Sequence, residues 1–234
     1  MFGKNLSGSR LKALVWASTI LFLIAAVFYF LPVGVPFKTA FPLVVLAMFS
    51  LWLVPWQMCV AMAASAAGDF MGAGLNFTVQ MECFAVAHLF LCLFFIQKLF
   101  RAGRESSKSF SALLTRRRIA YMIVSGGGIA VILLASMICI VPEVPSGVLR
   151  GGVAFYCIVI SLMLFLALMQ RSMLYALGAV LFVFSDFILA WNKFVEPVEY
   201  EKYLIMVPYY LGQWMIFVRS TPYRVAPSLI RSRL

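Results

Sequence analysis

Charge is scarce in this chain. Of its 234 residues, twelve percent are Asp, Glu, Lys or Arg, eight are acidic and one is histidine. Sixty-four percent are hydrophobic, and mean hydropathy is +1.01. A soluble fold of this length cannot hide so much apolar surface, so the composition places the chain in the membrane class. Metal-site patterns are missing too. No HExxH occurs, and the five cysteines (Cys59, Cys83, Cys92, Cys139, Cys157) form no CxxC pair. They read as packing residues rather than a metal or disulfide set, and no metal or cofactor is implied. Ser125-Gly126-Gly127-Gly128 is not followed by Lys-Ser/Thr, which excludes a phosphate loop and leaves close helix packing or a bend. No small-x-small cleavage site follows the first apolar run, so that run reads as a span rather than a secretory signal.

What is present is a series of apolar runs near 12–31, 37–54, 55–74, 79–98, 119–141, 149–169, 173–191 and 202–218. At about 17–25 residues per crossing they predict an all-α bundle of eight transmembrane helices, forming one domain over residues 1–234. The net charge of +11 could suggest nucleic acid, but its placement argues for topology instead. With the N-terminus inside, Lys38, Arg150, Lys193 and Lys202 fall outside and the other fifteen of nineteen basic residues fall inside. The positive-inside rule then puts both termini in the cytoplasm. The basic stretch from Gln97 to Arg118 reads as a cytoplasmic loop against anionic headgroups. Pro42 is expected to kink the second span. The third is rich in small residues, including Gly68 and Gly72, and should pack closely. Asn76-Phe77-Thr78 matches a glycosylation sequon, but it lies in a tight loop at the membrane and is discounted.

The sharpest signal is two carboxylates inside apolar runs. Asp69 lies in MCVAMAASAAGDFMGAG and Asp186 in LGAVLFVFSDFILAWNKF, half a chain length apart. A charge at bilayer depth costs at least ~2.5–3.5 kcal/mol, so both acids should face a protein interior or a wet cavity. Counting ~1.5 Å per residue puts both roughly 20 Å from the inner edge of the core. His88 and the Tyr209–Gln213 pair fall within a turn or so of that depth. Tyr210 is three residues from Gln213 and can also share its face. Lys38 and Lys193 lie above them, Lys193 on a face similar to that of Asp186. Each basic group has an ordinary alternative: a snorkelling lysine for Lys38, and a helix-to-helix hydrogen bond for His88. Two carboxylates in one low-dielectric hollow cannot easily both ionise, which suits acid–base chemistry. The same pair suits proton-coupled transport or a lipid-binding receptor.

Five stretches, KTAFP at 38–42, SAAGDF at 65–70, FAVAHLF at 84–90, GAVLFVFSDFILAWNKF at 178–194 and YYLGQ at 209–213, give the chain a further reading. In that order they resemble the lysoplasmalogenase, or YhhN-like, family of polytopic membrane proteins. The resemblance implies hydrolysis of the vinyl-ether bond of lysoplasmalogens to a fatty aldehyde and a glycerophospho-ethanolamine or -choline, with no metal or cofactor. It implies Asp69 and Asp186 as the paired acids, with Lys38, His88, Tyr210 and Gln213 beside them. A lysophospholipid is the implied substrate and membrane lipids the surroundings; no nucleic-acid partner is implied. The chain departs from the family's pattern at Gln80, where glycine is common, and at Leu91, near a usual tyrosine. Those departures bear on the lining of the site. The compartment implied is the cell membrane for a bacterial protein and the endoplasmic reticulum for a eukaryotic one.

Overall fold

The computed structural model describes residues 8–74, 76–105 and 116–221, and among them every regular element is helical. The order is α1 (Gly8–Phe30), α2 (Phe41–Leu53), α3 (Trp56–Gly72), α4 (Phe77–Glu105), α5 (Arg116–Cys139), α6 (Val148–Met169), α7 (Met173–Phe194) and α8 (Glu201–Ser220). One 3₁₀ turn, Val141–Glu143, follows α5. Each helix overlays one of the expected apolar runs. Helical backbone is what such runs must adopt in lipid, because only internal hydrogen bonds can satisfy their peptide groups.

Five of the eight, α1, α4, α5, α6 and α7, are long and apolar enough to cross a membrane. The others fall short for local reasons. At Phe37 the backbone is left-handed (φ 56°) and its ring stacks on Phe70 at 4.2 Å, so α2 starts only at Phe41. Its thirteen residues rise about 20 Å. Pro42 therefore occupies the first turn of α2, where a missing N–H costs nothing, and does not kink the span. Pro55 then separates α2 from α3. α8 opens on Glu201 and carries Arg219 in its last turn, which dilutes its apolar character. Asn76 explains the sequon-like tripeptide: its Oδ1 accepts from the Thr78 and Val79 amides (3.0 and 3.3 Å), capping α4. The expected basic loop lies partly outside the described residues, as do Lys4 and the tail beyond Thr221.

The helices close into a ring, α1–α2–α3–α4–α6–α7–α8, with α8 returning to α1 and α2. α5 stands outside it, packed chiefly on α6. Glycine allows the tightest approaches. A Cβ on Gly68 would lie 3.2 Å from the Phe84 ring. One on Gly212 would lie 2.6 Å from the Gly178 carbonyl, and one on Gly178 2.9 Å from the Gly212 carbonyl. The α7–α8 seam is thus backbone against backbone. The glycine run in α5 does the opposite of what was expected. Gly127 and Gly128 face open space, and the helix runs on without a break. Fully buried Phe22, Phe95, Phe182 and Phe217 fill the ring. Ile24, Val27, Val124 and Ile138 are exposed on the outer faces of α1 and α5, as lipid-facing residues should be.

Candidate functional site

Polar side chains turn inward from five of the ring helices and gather into two adjacent clusters. The first joins α3 to α8. Ser65 and Asp69 stand one turn apart, and so do Tyr209 and Gln213 on the partner helix. Because the helices run antiparallel, the two pairs meet as rungs. Tyr209 donates its hydroxyl to Asp69 Oδ2 at 3.0 Å, and Gln213 Nε2 donates to Ser65 Oγ at 3.0 Å. All four side chains are buried. Gln213 Oε1 is sealed from solvent without a hydrogen-bonding partner.

The second cluster joins α4, α6 and α7. Tyr156 donates its hydroxyl to Asp186 Oδ2. His88 Nε2 lies 3.0 Å from the same hydroxyl and 3.6 Å from Asp186 Oδ2. His88 is fully buried, and its Nδ1 faces no partner. Aromatic rings tie the clusters together: Phe182 lies 4.6 Å from the His88 ring and 5.3 Å from Tyr209, while Phe84 lies 5.8 Å from Tyr209.

A cavity lies between α4, α5, α6 and α7. Its wall is mainly apolar, with Met81, Ile132, Val153, Ile160 and Phe187 among the lining residues. Asp186 and Tyr156 are part of that wall, together with Gln80, Ser136 and Ser161. Asp69 and His88 are not. The two acids therefore do not open side by side into this hollow. Asp186 meets it, and Asp69 lies outside its wall, held by Tyr209.

The remaining expected site residues are spread more widely. Tyr210 turns away from Asp69, donating to the Thr39 carbonyl at 2.8 Å and packing edge-on against Phe22 and Tyr29. Lys38 Nζ donates to the carbonyls of Leu31 and Val33 at 2.7 and 3.0 Å, closing the α1–α2 turn above Tyr29. Lys193 is exposed at the C-terminal end of α7, 5.4 Å over the ring of Phe77, which itself lines the cavity. Gln80, at the position of the departure, packs its carboxamide onto Gly72 and lines the same cavity. Tyr156 is the residue sequence reasoning left out of the site. Its one signal was that it and Ser161 are the hydroxyls of a mostly apolar helix. Among the described residues, no three His, Cys, Asp or Glu side chains gather as a metal site would require.

An all-helical ring with five helices of spanning length, apolar outside and polar within, has the build of a multi-pass membrane protein. The chain belongs to the YhhN family, whose profile matches residues 33–220. No solved structure matches it.

Proposed function

We propose that the protein is an intramembrane hydrolase that cleaves the vinyl-ether bond of lysoplasmalogens, releasing a fatty aldehyde and a glycerophospho-ethanolamine or -choline. The observation that carries this reading is a carboxyl group, Asp186, set in the wall of a mainly apolar cavity between helices. Such a cavity suits a single hydrocarbon chain, and the acid suits the one reactive bond beside it.

The chemistry follows from the bond. A protonated Asp delivers its proton to the vinyl carbon remote from the ether oxygen, which leaves an oxocarbenium ion. Water adds to the cationic carbon and returns a proton to the carboxylate. The hemiacetal then collapses, its hydroxyl proton passing to the departing glycerol oxygen. The second acid stabilises positive charge as it develops. The substrate's phosphate meets Lys193, at the Phe77 end of the cavity. In this reading the chain crosses the membrane eight times with both termini in the cytoplasm.

Purified full-length protein in detergent should release aldehyde from a lysoplasmalogen. Asp186→Asn and Asp69→Asn should each lower the rate at least about 100-fold while eluting as folded protein. Full activity in either variant would remove that acid from the mechanism. Uptake of lysolipid into vesicles under a pH gradient, without product, would favour transport instead.

A further inference from the structure

The Tyr156 hydroxyl bridges two groups. It donates to Asp186 Oδ2, so its oxygen is free to accept, and His88 Nε2 stands 3.0 Å away. The chain of bonds therefore runs His88 Nε2–H to Tyr156 O–H to Asp186 Oδ2. This fixes the tautomer of His88: the proton is on Nε2, and Nδ1 is the sealed, partnerless lone pair. His88 does not line the cavity, whereas Tyr156 and Asp186 both do. The imidazole thus meets the cavity wall through the tyrosine hydroxyl at 3.0 Å, with Asp186 Oδ2 itself 3.6 Å from Nε2. Among the described residues no hydrogen bond engages Asp186 Oδ1.

We infer that Tyr156 and His88 are positioning residues for Asp186: together they hold Oδ2 as the fixed end of a hydrogen-bonded chain and leave Oδ1 as the oxygen that carries the proton to a ligand in the cavity. Asp186 is then the proton donor and Asp69 the electrostatic partner. The proton leaves Oδ1 for the vinyl carbon and is replaced there by one from the attacking water, so Tyr156 and His88 keep theirs throughout. The kinetic side of this assignment rests on the hydrolase reading; the hydrogen-bonded chain itself does not.

The chain contains only two aspartates, Asp69 and Asp186. Carboxyl-¹³C aspartate labelling therefore marks two groups in the infrared spectrum, and Asp186→Asn identifies which bands belong to Asp186. In the ligand-free, full-length protein, Tyr156→Phe should displace the Asp186 bands. His88→Leu should displace them too, and His88→Gln, which retains a donor near Nε2, should restore them most of the way. With lysoplasmalogen, Tyr156→Phe should lower kcat about 10–100-fold and change KM by less than about threefold, because orientation rather than binding is lost. Its pH–rate profile should move along the pH axis, which a packing defect alone would not cause. Unmoved Asp186 bands in both Tyr156→Phe and His88→Leu would overturn the assignment. Should Tyr156→Phe fail to fold, the His88→Leu and His88→Gln pair decides the matter alone. Displaced bands in a protein that forms no aldehyde would defeat the hydrolase reading and leave the positioning chain standing.

Discussion

At the scale of single residues, the two clusters differ in how completely their hydrogen bonds are met. Gln213 spends Nε2 on Ser65 while its Oε1 is buried without a partner. Ser65→Ala would strand the whole carboxamide, and a buried unpaired polar group costs about 1–3 kcal/mol. Gln213→Leu with Ser65→Ala removes both partners and the existing orphan, so it should cost less than Ser65→Ala alone. Thermal unfolding of the four proteins in one detergent, read as a double-mutant cycle, tests this. A double variant less stable than Ser65→Ala would show that Gln213 contributes shape rather than a hydrogen bond. Tyr209→Phe is a different case, because the acceptor it abandons is a carboxyl. It should destabilise by roughly 1–3 kcal/mol, and Tyr209→Phe with Asp69→Leu should recover part of that loss. Lys38, which spacing left between a snorkelling lysine and a ligand contact, has its ammonium held by two backbone carbonyls of the α1–α2 turn.

Glycines decide the matter between elements, and they divide into two kinds. At Gly178 and Gly212 the backbones of α7 and α8 leave no room for a Cβ. Gly212→Leu should therefore force apart the helices that carry Asp186 and Tyr209, with loss of the monodisperse folded peak on size exclusion. At Gly127 and Gly128 a Cβ would meet nothing within 4 Å. Glycine in mid-helix is about 0.5–1 kcal/mol less favourable than alanine, so Gly127→Ala and Gly128→Ala should leave the melting temperature unchanged or raise it. Equal damage from both sets would mean that α5 has a closely packed neighbour. Sequence patterning could not separate the two kinds. A glycine run looks like a packing motif wherever it lies, and only the helix opposite says whether it is used. Hydropathy did locate each helix, because an unbroken apolar run in lipid has one backbone solution. The start of α2 escaped it, since a left-handed Phe37 stacked on Phe70 leaves no periodic trace. Helix order escaped it as well. Depth matched Asp69 with Tyr209, but depth cannot say that rings from α4 and α7 pack between Tyr209 and His88.

For the whole molecule the question is which side each end of the ring faces. Lys98 and Arg219 gather at one end of the ring, both over the Tyr175 ring beside the α6–α7 connection that carries Arg171. If all eight helices cross, α5 runs outward, and exposed Cys139 at its far end lies on the side away from both termini. The other cysteines are its internal controls, since Cys92 is buried and Cys59, Cys83 and Cys157 are partly buried. A membrane-impermeant maleimide applied to intact cells or sealed vesicles of known orientation should modify Cys139 from the outer face alone. A short tag on the C-terminus should become accessible only after permeabilisation. The three shorter or less apolar helices, α2, α3 and α8, make this a real test. An odd number of them failing to cross would put one terminus on the same side as Cys139. Failure of the α2–α3 pair together would preserve the sidedness of both ends, so a cysteine placed at Val54, between those two helices, supplies the missing reading. Eight crossings put that cysteine on the cytoplasmic side with the termini, and a pair that dips in and returns leaves it on the side of Cys139.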